Sequence, residues 1–297
     1  MTWLRRHWVP IAMLAPSILA IAIFVYGFIG WSARVSVSDW QGLTPDYTFV
    51  GLDNFAELFR DRRFTQYDIV NTVVFTVFFV LGAVGLGLGL AILLDRHVPG
   101  EGIFRSIFLF PLAISLIVTG VAWRWLMNPA GGERVSGLNL LLDNVGLDGL
   151  INAWYTTDKP WGIAFVALPA VWQMSGFTMA LFLGGLRAVP EDLKEAARVD
   201  GASELQVYRR IILPLLRPAL LSALIILGHL SLKVFDLIIA LTGRNLELDV
   251  PAIYMWTTTF DANNFARGAA IGILLLLSVA VLVVPYLVWS MRRETEL

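Results

Sequence analysis

Long apolar blocks alternate with polar segments along the chain. Six blocks of about 20 residues or more carry few charges and fall at about residues 9–31, 69–94, 106–126, 161–186, 218–241 and 269–290. About 20 apolar residues in a helix cross a hydrocarbon layer of roughly 30 Å. A helix is favoured because it satisfies every backbone amide within the segment. The pattern predicts an all-α polytopic membrane protein with six transmembrane helices and one membrane domain over residues 1–297.

Prolines and glycines modify three of these spans. Pro111 in the third span and Pro169 in the fourth predict kinks, which membrane helices tolerate where they border a cavity or a partner. Gly85 and Gly89 in the second span have a spacing typical of close contact between membrane helices. The second span is therefore expected to pack closely on a neighbour at these two glycines.

The polar segment between the fourth and fifth spans, residues 187–217, predicts two short helices separated by a turn. Pro190, followed by two acidic residues, is typical of a helix start, and Gly201 is typical of a helix end. Ser203 with Gln206 three residues later predicts a capping box for the second helix. We call residues 187–217 the charged loop.

The second helix of the charged loop is expected to have one apolar face, formed by Leu205, Tyr208, Ile211 and Ile212. Pro214 and Pro218 are expected to break it before the fifth span. The loop is far longer than a simple connection requires, so it is expected to form a surface. Arg209 and Arg210 would suit anionic lipid headgroups. The acidic first helix would be repelled there, which favours a protein partner.

Lysine and arginine predict the orientation in the membrane. Arg5 and Arg6 precede the first span, and the charged loop carries six further basic residues. Because positive residues are enriched in cytoplasmic segments, both termini and the charged loop are expected to be cytoplasmic. The first span is interpreted as a retained helix because no cleavage site follows it. The external loops are rich in Trp, Asn, Asp and Gly; membrane anchoring of the aromatic residues and docking of an external partner both remain open.

Composition restricts the chemistry. The chain has no cysteine, so disulfides and thiol chemistry are excluded. A net charge of −1 gives no indication of a polyanionic partner such as nucleic acid. The only lysines, Lys159, Lys194 and Lys233, precede Pro, Glu and Val, so no phosphate loop is present. His7 and the other two histidines, at positions 97 and 229, are scattered and predict neither a metal site nor a catalytic site.

Charged side chains within an apolar span indicate function, because ionisable groups are costly at membrane depth. Lys233 and Asp236 are three residues apart and are predicted to share one helical face of the fifth span. Two hypotheses remain open: a self-neutralising structural pair, or a pair that lines a translocation cavity and binds sugar hydroxyls. His229 belongs with either hypothesis. The further candidates for the substrate pathway are Phe235, Trp172, Gln173 and Asn71.

The charged loop resembles a known sequence motif. The run EAA at positions 195–197, then Asp200-Gly201-Ala202, then Ile211, Leu213 and Pro214 is similar to the EAA loop of membrane permease subunits of binding-protein-dependent ABC importers. The segments FVGLDNFAELF, GVAWRWLMNP and KVFDLIIALTG resemble the carbohydrate branch, the maltose-permease-like subunits. The run KVFDLIIALTG…DVPAIYMW looks most like glucose- or mannose-type permeases. After Thr242-Gly243, the chain departs from the glycine- and proline-rich turn of many members.

The resemblance implies a type I ABC importer permease fold and a role for each residue of the motif. The EAA helix would sit in a cleft of a cytoplasmic ATPase and couple ATP hydrolysis to alternating access. Ala196 and Ala197 would permit close approach, Glu195 and Asp200 would meet basic groups, and Gly201 with the adjacent Ala202 would form the exit from the helix.

The resemblance also implies an assembly. A second homologous permease, two ATPase subunits carrying ATP and Mg²⁺, and an extracytoplasmic sugar-binding protein would join this chain in the cytoplasmic membrane of a prokaryote. The chain itself would bind no cofactor and would have no catalytic residue. An ion-coupled secondary sugar carrier is the alternative, and an intramembrane enzyme is a third class. Neither alternative accounts for the EAA loop.

Overall fold

The computed structural model describes residues 2–96, 98–130 and 134–294, with side chains described between residues 11 and 288 within those ranges. His97 lies outside the described residues. Helices dominate the described parts of the chain, which contain two isolated β-bridges and no β-strand. The predicted all-α class is confirmed.

The helices of the first half of the chain are α1 (Thr2–Ile21), α2 (Phe28–Ser36), α3 (Asp53–Arg60), α4 (Ile69–Asp95), α5 (Glu101–Leu109), α6 (Leu116–Leu126) and α7 (Gly137–Asn144). The helices of the second half are α8 (Trp161–Arg187), α9 (Glu191–Val199), α10 (Glu204–Val207), α11 (Leu213–Leu215), α12 (Arg217–Leu232), α13 (Asp236–Thr242), α14 (Pro251–Trp256) and α15 (Phe265–Glu294).

Long apolar helices occur at four of the predicted spans. They are Ile11–Ser36, Arg63–Asp95, Trp161–Arg187 and Phe265–Val288. Two further pairs of helices are apolar enough to cross a membrane but are sharply bent, so up to six spans are present in the described chain. The second and fourth predicted spans, 69–94 and 161–186, agree with α4 and α8 to within one residue at each end.

The third span is divided into two halves. The first half consists of α5 and a 3₁₀ turn, Phe110–Ala113, and the second half is α6. The two halves meet at an angle of 100°. Pro111 lies at the start of the 3₁₀ turn, as expected for a residue that cannot donate a backbone hydrogen bond. The predicted disruption at Pro111 is therefore confirmed, but it is a break rather than a kink.

The fifth span is also interrupted, and here the sequence-based prediction of one helix over 218–241 is wrong. Helix α12 ends at Leu232 and α13 begins at Asp236. Lys233 caps the end of α12 with φ −115°, and Phe235 precedes α13 with φ −137°. No proline or glycine lies between the two helices, so the sequence carries no ordinary signal for this break.

Helices α4 and α8 pack closely, but not at the predicted glycines. A Cβ atom added at Gly85 or Gly89 would meet nothing within 4 Å. One added at Gly87 would overlap Thr178, whose hydroxyl donates to the backbone oxygen of Ala83 at 2.7 Å. Within the described chain, the close contacts with α8 are therefore made at Gly87 and at Gly82, which lies against Val171, and not at Gly85 and Gly89.

By its internal contacts the chain forms two compact units, where the sequence predicted one domain. They are Met1–Thr65 with Ala252–Leu277, and Gln66–Pro251 with Ser278–Leu297. The second unit contains both candidate sites described below.

The first unit contains a polar cluster centred on Asp61. The Tyr254 hydroxyl donates to Oδ2 of Asp61 at 2.6 Å, and the Arg267 guanidinium lies 3.5 Å from the same oxygen. The Arg63 guanidinium lies 4.3 Å from the centre of the Tyr254 ring. Burial, and then the hydrogen bond to Asp61, raise the pKa of Tyr254 to about 12. Tyr254 therefore stays a neutral donor near neutral pH and joins segments that are far apart in sequence.

Candidate functional sites: the charged loop and a cavity at two helix breaks

The charged loop has the two-helix architecture predicted from its sequence. Helix α9 follows Pro190 and ends before Gly201, which adopts φ +82°. Such a conformation is accessible to glycine and strained for a side chain with a Cβ branch. The Ser203 amide donates to Oε1 of Gln206 at 2.8 Å within the capping box that starts α10. The predicted start, turn and cap are confirmed.

One arginine links the starts of both helices. Arg198 lies 3.3 Å from a carboxylate oxygen of Glu191 at the start of α9 and 2.8 Å from one of Glu204 at the start of α10. Lys194 lies 3.0 Å from Glu191. The hydrogen bond from Lys194 is the largest cause that lowers the pKa of Glu191. These four charges, on Glu191, Lys194, Arg198 and Glu204, thus pair with one another within the loop.

The apolar face of the second helix differs from the prediction. Leu205 is 78% exposed, and Val207, which was not predicted, is buried. Ile212 is buried as predicted. The chain forms a π-helical turn over Tyr208–Ile212, in which residues five apart lie above one another. Val207 and Ile212 have this spacing. They pack into a core with Leu94 of α4 and Leu186 of α8.

The break before the fifth span also differs slightly from the prediction. Helix continues through Pro214 to Leu215, and a bend of 63° separates this helical segment from α12. Pro218 lies in the first turn of α12. Amide groups in the first turn have no partner within the helix, so a proline is tolerated there.

The residues of the EAA motif divide into an exposed group and an anchoring group. Glu195, Ala196, Asp200 and Gly201 are exposed, while the other two alanines, at 197 and 202, pack against the core beneath. Three apolar side chains on the same loop are also exposed: Leu193 at 46%, Val199 at 87% and Leu205 at 78%. An exposed apolar and acidic surface therefore lies on a loop that is anchored to α4 and α8.

A cavity of about 330 Å³ lies at the two helix breaks. It is lined by residues on both sides of each break, including Leu112 and Leu116 of the third span. Its polar or aromatic lining residues are Phe75, Phe79, Gln173, Lys233, Phe235 and Asp236. We call it the Lys233 cavity.

Lys233 and Asp236 line this cavity, but not as predicted. They do not share a face of one helix, because Lys233 ends α12 and Asp236 is the first residue of α13. A carboxylate in the first turn of a helix interacts favourably with the helix dipole. Both charged side chains therefore border the cavity from opposite sides of the break in the fifth span.

Gln173 lines the same cavity and joins it to the break in the third span. Its Nε2 donates to the backbone oxygen of Ile114 at 2.6 Å, and Ile114 is the residue at which the chain leaves the 3₁₀ turn. Gln173 is 5% exposed, and its Oε1 has no hydrogen-bond partner among the described residues. A buried acceptor without a partner is costly, so a donor that enters the cavity would be stabilised there.

Three predicted pathway residues lie elsewhere. Asn71 is 1% exposed and donates to the backbone oxygens of Glu247 and Asp249 at 2.9 and 2.8 Å. Trp172 pairs with Trp123, with ring centres 6.0 Å apart, beside a separate cavity of about 280 Å³.

His229 lies in α12, four residues before Lys233, and is not among the residues that line the Lys233 cavity in the described chain. The cavity thus brings together four of the seven predicted residues: Gln173, Lys233, Phe235 and Asp236.

The sequence-based prediction missed an aromatic wall of the cavity. Phe75 and Phe79 are buried and stacked, with ring centres 5.6 Å apart. They are four residues apart on α4, a spacing that places two side chains on one helical face. This spacing was the available signal, but many apolar pairs in a membrane helix share it.

The sequence is similar to known transport proteins. Residues 83–293 match the family described as the binding-protein-dependent transport system inner membrane component. A probable ABC transporter permease protein of Pyrococcus horikoshii is 42% identical over 96% of each chain. A xylose/arabinose import permease protein of Haloferax volcanii is 35% identical over 92% of this chain and 85% of its own length.

A solved structure has a similar fold. It is a bacterial alginate ABC transporter in complex with an alginate pentasaccharide-bound periplasmic protein, and one of its chains matches with a TM-score of 0.79. The identity is 23%, and the match covers 95% of this chain and 94% of that chain.

Proposed function

The chain belongs to the family of binding-protein-dependent transport system inner membrane components, and we propose that it is a permease subunit of an ATP-driven sugar importer. It is a membrane transport component by family. The sugar class is supported by relatives such as the xylose/arabinose import permease of Haloferax volcanii. The substrate is a mono- or oligosaccharide, which moves through the membrane by alternating access.

The charged loop is proposed to couple this subunit to a separate ATPase. The observation that carries this proposal is the exposed surface of the loop, where Glu195 and Asp200 lie with the apolar side chains of Val199 and Leu205. These side chains lie outside the membrane spans, where lipid does not cover them, and exposed apolar side chains rimmed by polar ones are typical of a surface that binds protein. The loop is also anchored to α4 and α8, so a force applied to the loop would reach the membrane helices.

The Lys233 cavity is proposed to be part of the sugar pathway. Lys233 can donate hydrogen bonds to sugar oxygens, and Asp236 and Oε1 of Gln173 can accept them from hydroxyls. The aromatic rings of Phe75 and Phe235 supply apolar faces. A cavity with mainly apolar walls and a few polar groups is typical of a small-molecule site.

The proposed assembly follows the family. A second homologous permease, two ATPase subunits with ATP and Mg²⁺, and an extracytoplasmic sugar-binding protein complete the transporter. The solved alginate transporter in complex with a periplasmic protein supports the last partner. Both termini of this chain and the charged loop face the cytoplasm of a prokaryote, and the bilayer is its inner membrane.

Reconstitution tests the proposed function. The chain is purified with the proteins that accompany it, and uptake of radiolabelled sugars into proteoliposomes is measured with and without ATP in the compartment that contains the charged loop. Uptake should require both ATP and the loaded binding protein. Ionophores that abolish ion gradients should leave it unchanged. Uptake by this chain alone, driven by an ion gradient, would instead establish the secondary carrier.

A further inference from the structure

The two halves of the third span belong to different packing groups. The second half, α6, packs on α13: a Cβ atom at Gly120 would lie 2.7 Å from Cβ of Ala240 and 2.9 Å from the backbone oxygen of Leu237. The first half, α5 with its 3₁₀ turn, packs on α8. The break at Ile114 therefore separates two parts of one span whose main neighbours differ, although Trp123 of α6 also pairs with Trp172 of α8.

Three contacts fasten the first half to α8 along its length. At the break, Gln173 donates to the backbone oxygen of Ile114 at 2.6 Å. In the middle, the backbones touch, because a Cβ atom at Gly176 would overlap the backbone oxygen of Phe108. At the other end, the Arg187 guanidinium lies 2.7 Å from Oε2 of Glu101.

The contact between Glu101 and Arg187 is the one nearest to the charged loop. Arg187 is the last residue of α8, and the charged loop begins there. Glu101 is the first residue of α5. Its carboxylate also lies 3.5 Å from Arg105, but that residue belongs to α5 itself. The ion pair with Arg187 therefore ties the end of α5 to the helix that leads into the charged loop.

We propose that Glu101 is a positioning residue of the transport cycle: through Arg187 it makes the first half of the third span move together with the charged loop. This inference rests on the coupling role proposed above. When the loop moves, α8 and α5 move as one body. The second half stays with α13, so the angle at Ile114 changes and the Lys233 cavity, which is lined from both halves, changes shape.

Charge reversal tests the proposal in the complete transporter. In the parent, the carboxylate of Glu101 lies between Arg105 and Arg187. In Glu101→Arg, three arginines repel one another there, so α5 separates from Arg187 while the charged loop stays intact. Hydrolysis of ATP should continue, and uptake per ATP should fall by up to about fivefold, since a partly exposed ion pair contributes about 1 kcal/mol or less. The double variant Glu101→Arg with Arg187→Glu should restore most of the uptake per ATP.

Arg105→Gln is the matched control. It removes a charge from the same cluster without affecting the tie between α5 and α8, so uptake per ATP should remain at the parental level. Parental uptake per ATP in Glu101→Arg would overturn the proposal. A double variant with no higher uptake per ATP than Glu101→Arg would also overturn it, because restoring the ion pair would then not restore transport.

A distance measurement separates this inference from the proposed function. The chain has no cysteine, so spin labels attach only at Ile103→Cys on α5 and Leu193→Cys on α9, both exposed positions. The full chain should show one narrow distance distribution, which broadens in Glu101→Arg and stays narrow in Arg105→Gln. An unchanged distribution in Glu101→Arg would refute the fastening. Absence of ATP-driven uptake in the parental complex would contradict the proposed function, while this measurement would still decide whether Glu101 fastens α5.

Discussion

The charged loop and the Lys233 cavity hold polar side chains under opposite conditions. In the loop, charges are exposed and pair within a short stretch of chain, as Arg198 does with Glu191 and Glu204. In the cavity, Gln173 and Lys233 come from elements far apart in sequence and border a space at two helix breaks. A change in the loop should therefore alter coupling without altering the binding of sugar. A change in the cavity should do the reverse.

The largest effect is expected from a substitution in the turn between α9 and α10, which should leave the rest of the fold intact. Gly201→Val places a β-branched residue at φ +82°, where such residues are strained. An added Cβ atom would meet nothing within 4 Å, so we expect the exit angle of α9 to change. We expect a complex that assembles but shows neither uptake nor stimulation of ATP hydrolysis by loaded binding protein.

Gly85→Val is the control for this variant, because Gly85 is helical and also has open space around it. It should transport at the parental rate. Transport by Gly201→Val at the parental rate would show that the charged loop is not the coupling element.

The next effect concerns the exposed apolar surface. Leu205→Asp places a charge on a side chain that is 78% exposed in the chain and is proposed to be covered by the ATPase. Burying a leucine contributes about 1.5–3 kcal/mol, so the ATPase should bind more than about tenfold more weakly. Binding to the purified permease measures this. Leu246→Asp, at a side chain that is 60% exposed outside the loop, should bind the ATPase normally. Equal binding by the two variants would contradict a docking role.

The cavity side of the comparison is tested by exchanging Lys233 and Asp236. If they contact sugar, the exchange should preserve assembly and raise the half-saturating sugar concentration about tenfold, as expected for charge-assisted hydrogen bonds. ATP hydrolysis should still respond to loaded binding protein. The control exchanges Glu57 and Arg60, an exposed acid and base three residues apart on α3. Unchanged uptake after the exchange of Lys233 and Asp236 would show that they form a structural pair and do not bind sugar.

The smallest effect is expected from a single charge in the loop. Glu195→Gln keeps the shape of the side chain and removes one exposed charge, which contributes on the order of 1 kcal/mol or less. Stimulated ATP hydrolysis should fall by no more than about fivefold, and the difference from the parent should shrink as salt is added. A loss as complete as that of Gly201→Val would show that Glu195 does more than form one ion pair.

The loop could be predicted from the sequence because its signals are local. Gly201 and the capping pair Ser203 and Gln206 act within one or two turns, and all three were placed correctly. The prediction failed at Leu205, because the π-helical turn changes the spacing of buried residues from that of an α-helix. The sequence contains no recognisable signal for that turn.

The cavity could be predicted only in part. The cost of a charge in a membrane span points to Lys233 and Asp236. This argument does not require the two residues to lie on one continuous helix. The prediction also includes Asn71, for its amide, and Trp172, for its aromatic ring. The structure places Asn71 on backbone oxygens and Trp172 against another tryptophan. Which polar residue faces a cavity depends on long-range packing, which a pattern along one chain does not record.

The first span has a consequence for how the protein responds to its membrane. Within Ile11–Ser36, the most apolar stretch of the helix has no buried residue in the described chain, while Val35 and Ser36 at its end are buried. Its 26 residues extend about 39 Å at 1.5 Å per residue, which exceeds the roughly 30 Å of a hydrocarbon layer. Because its buried residues within the described chain, Val35 and Ser36, lie at one end, the rest of this helix can tilt about that end to match bilayers of different thickness.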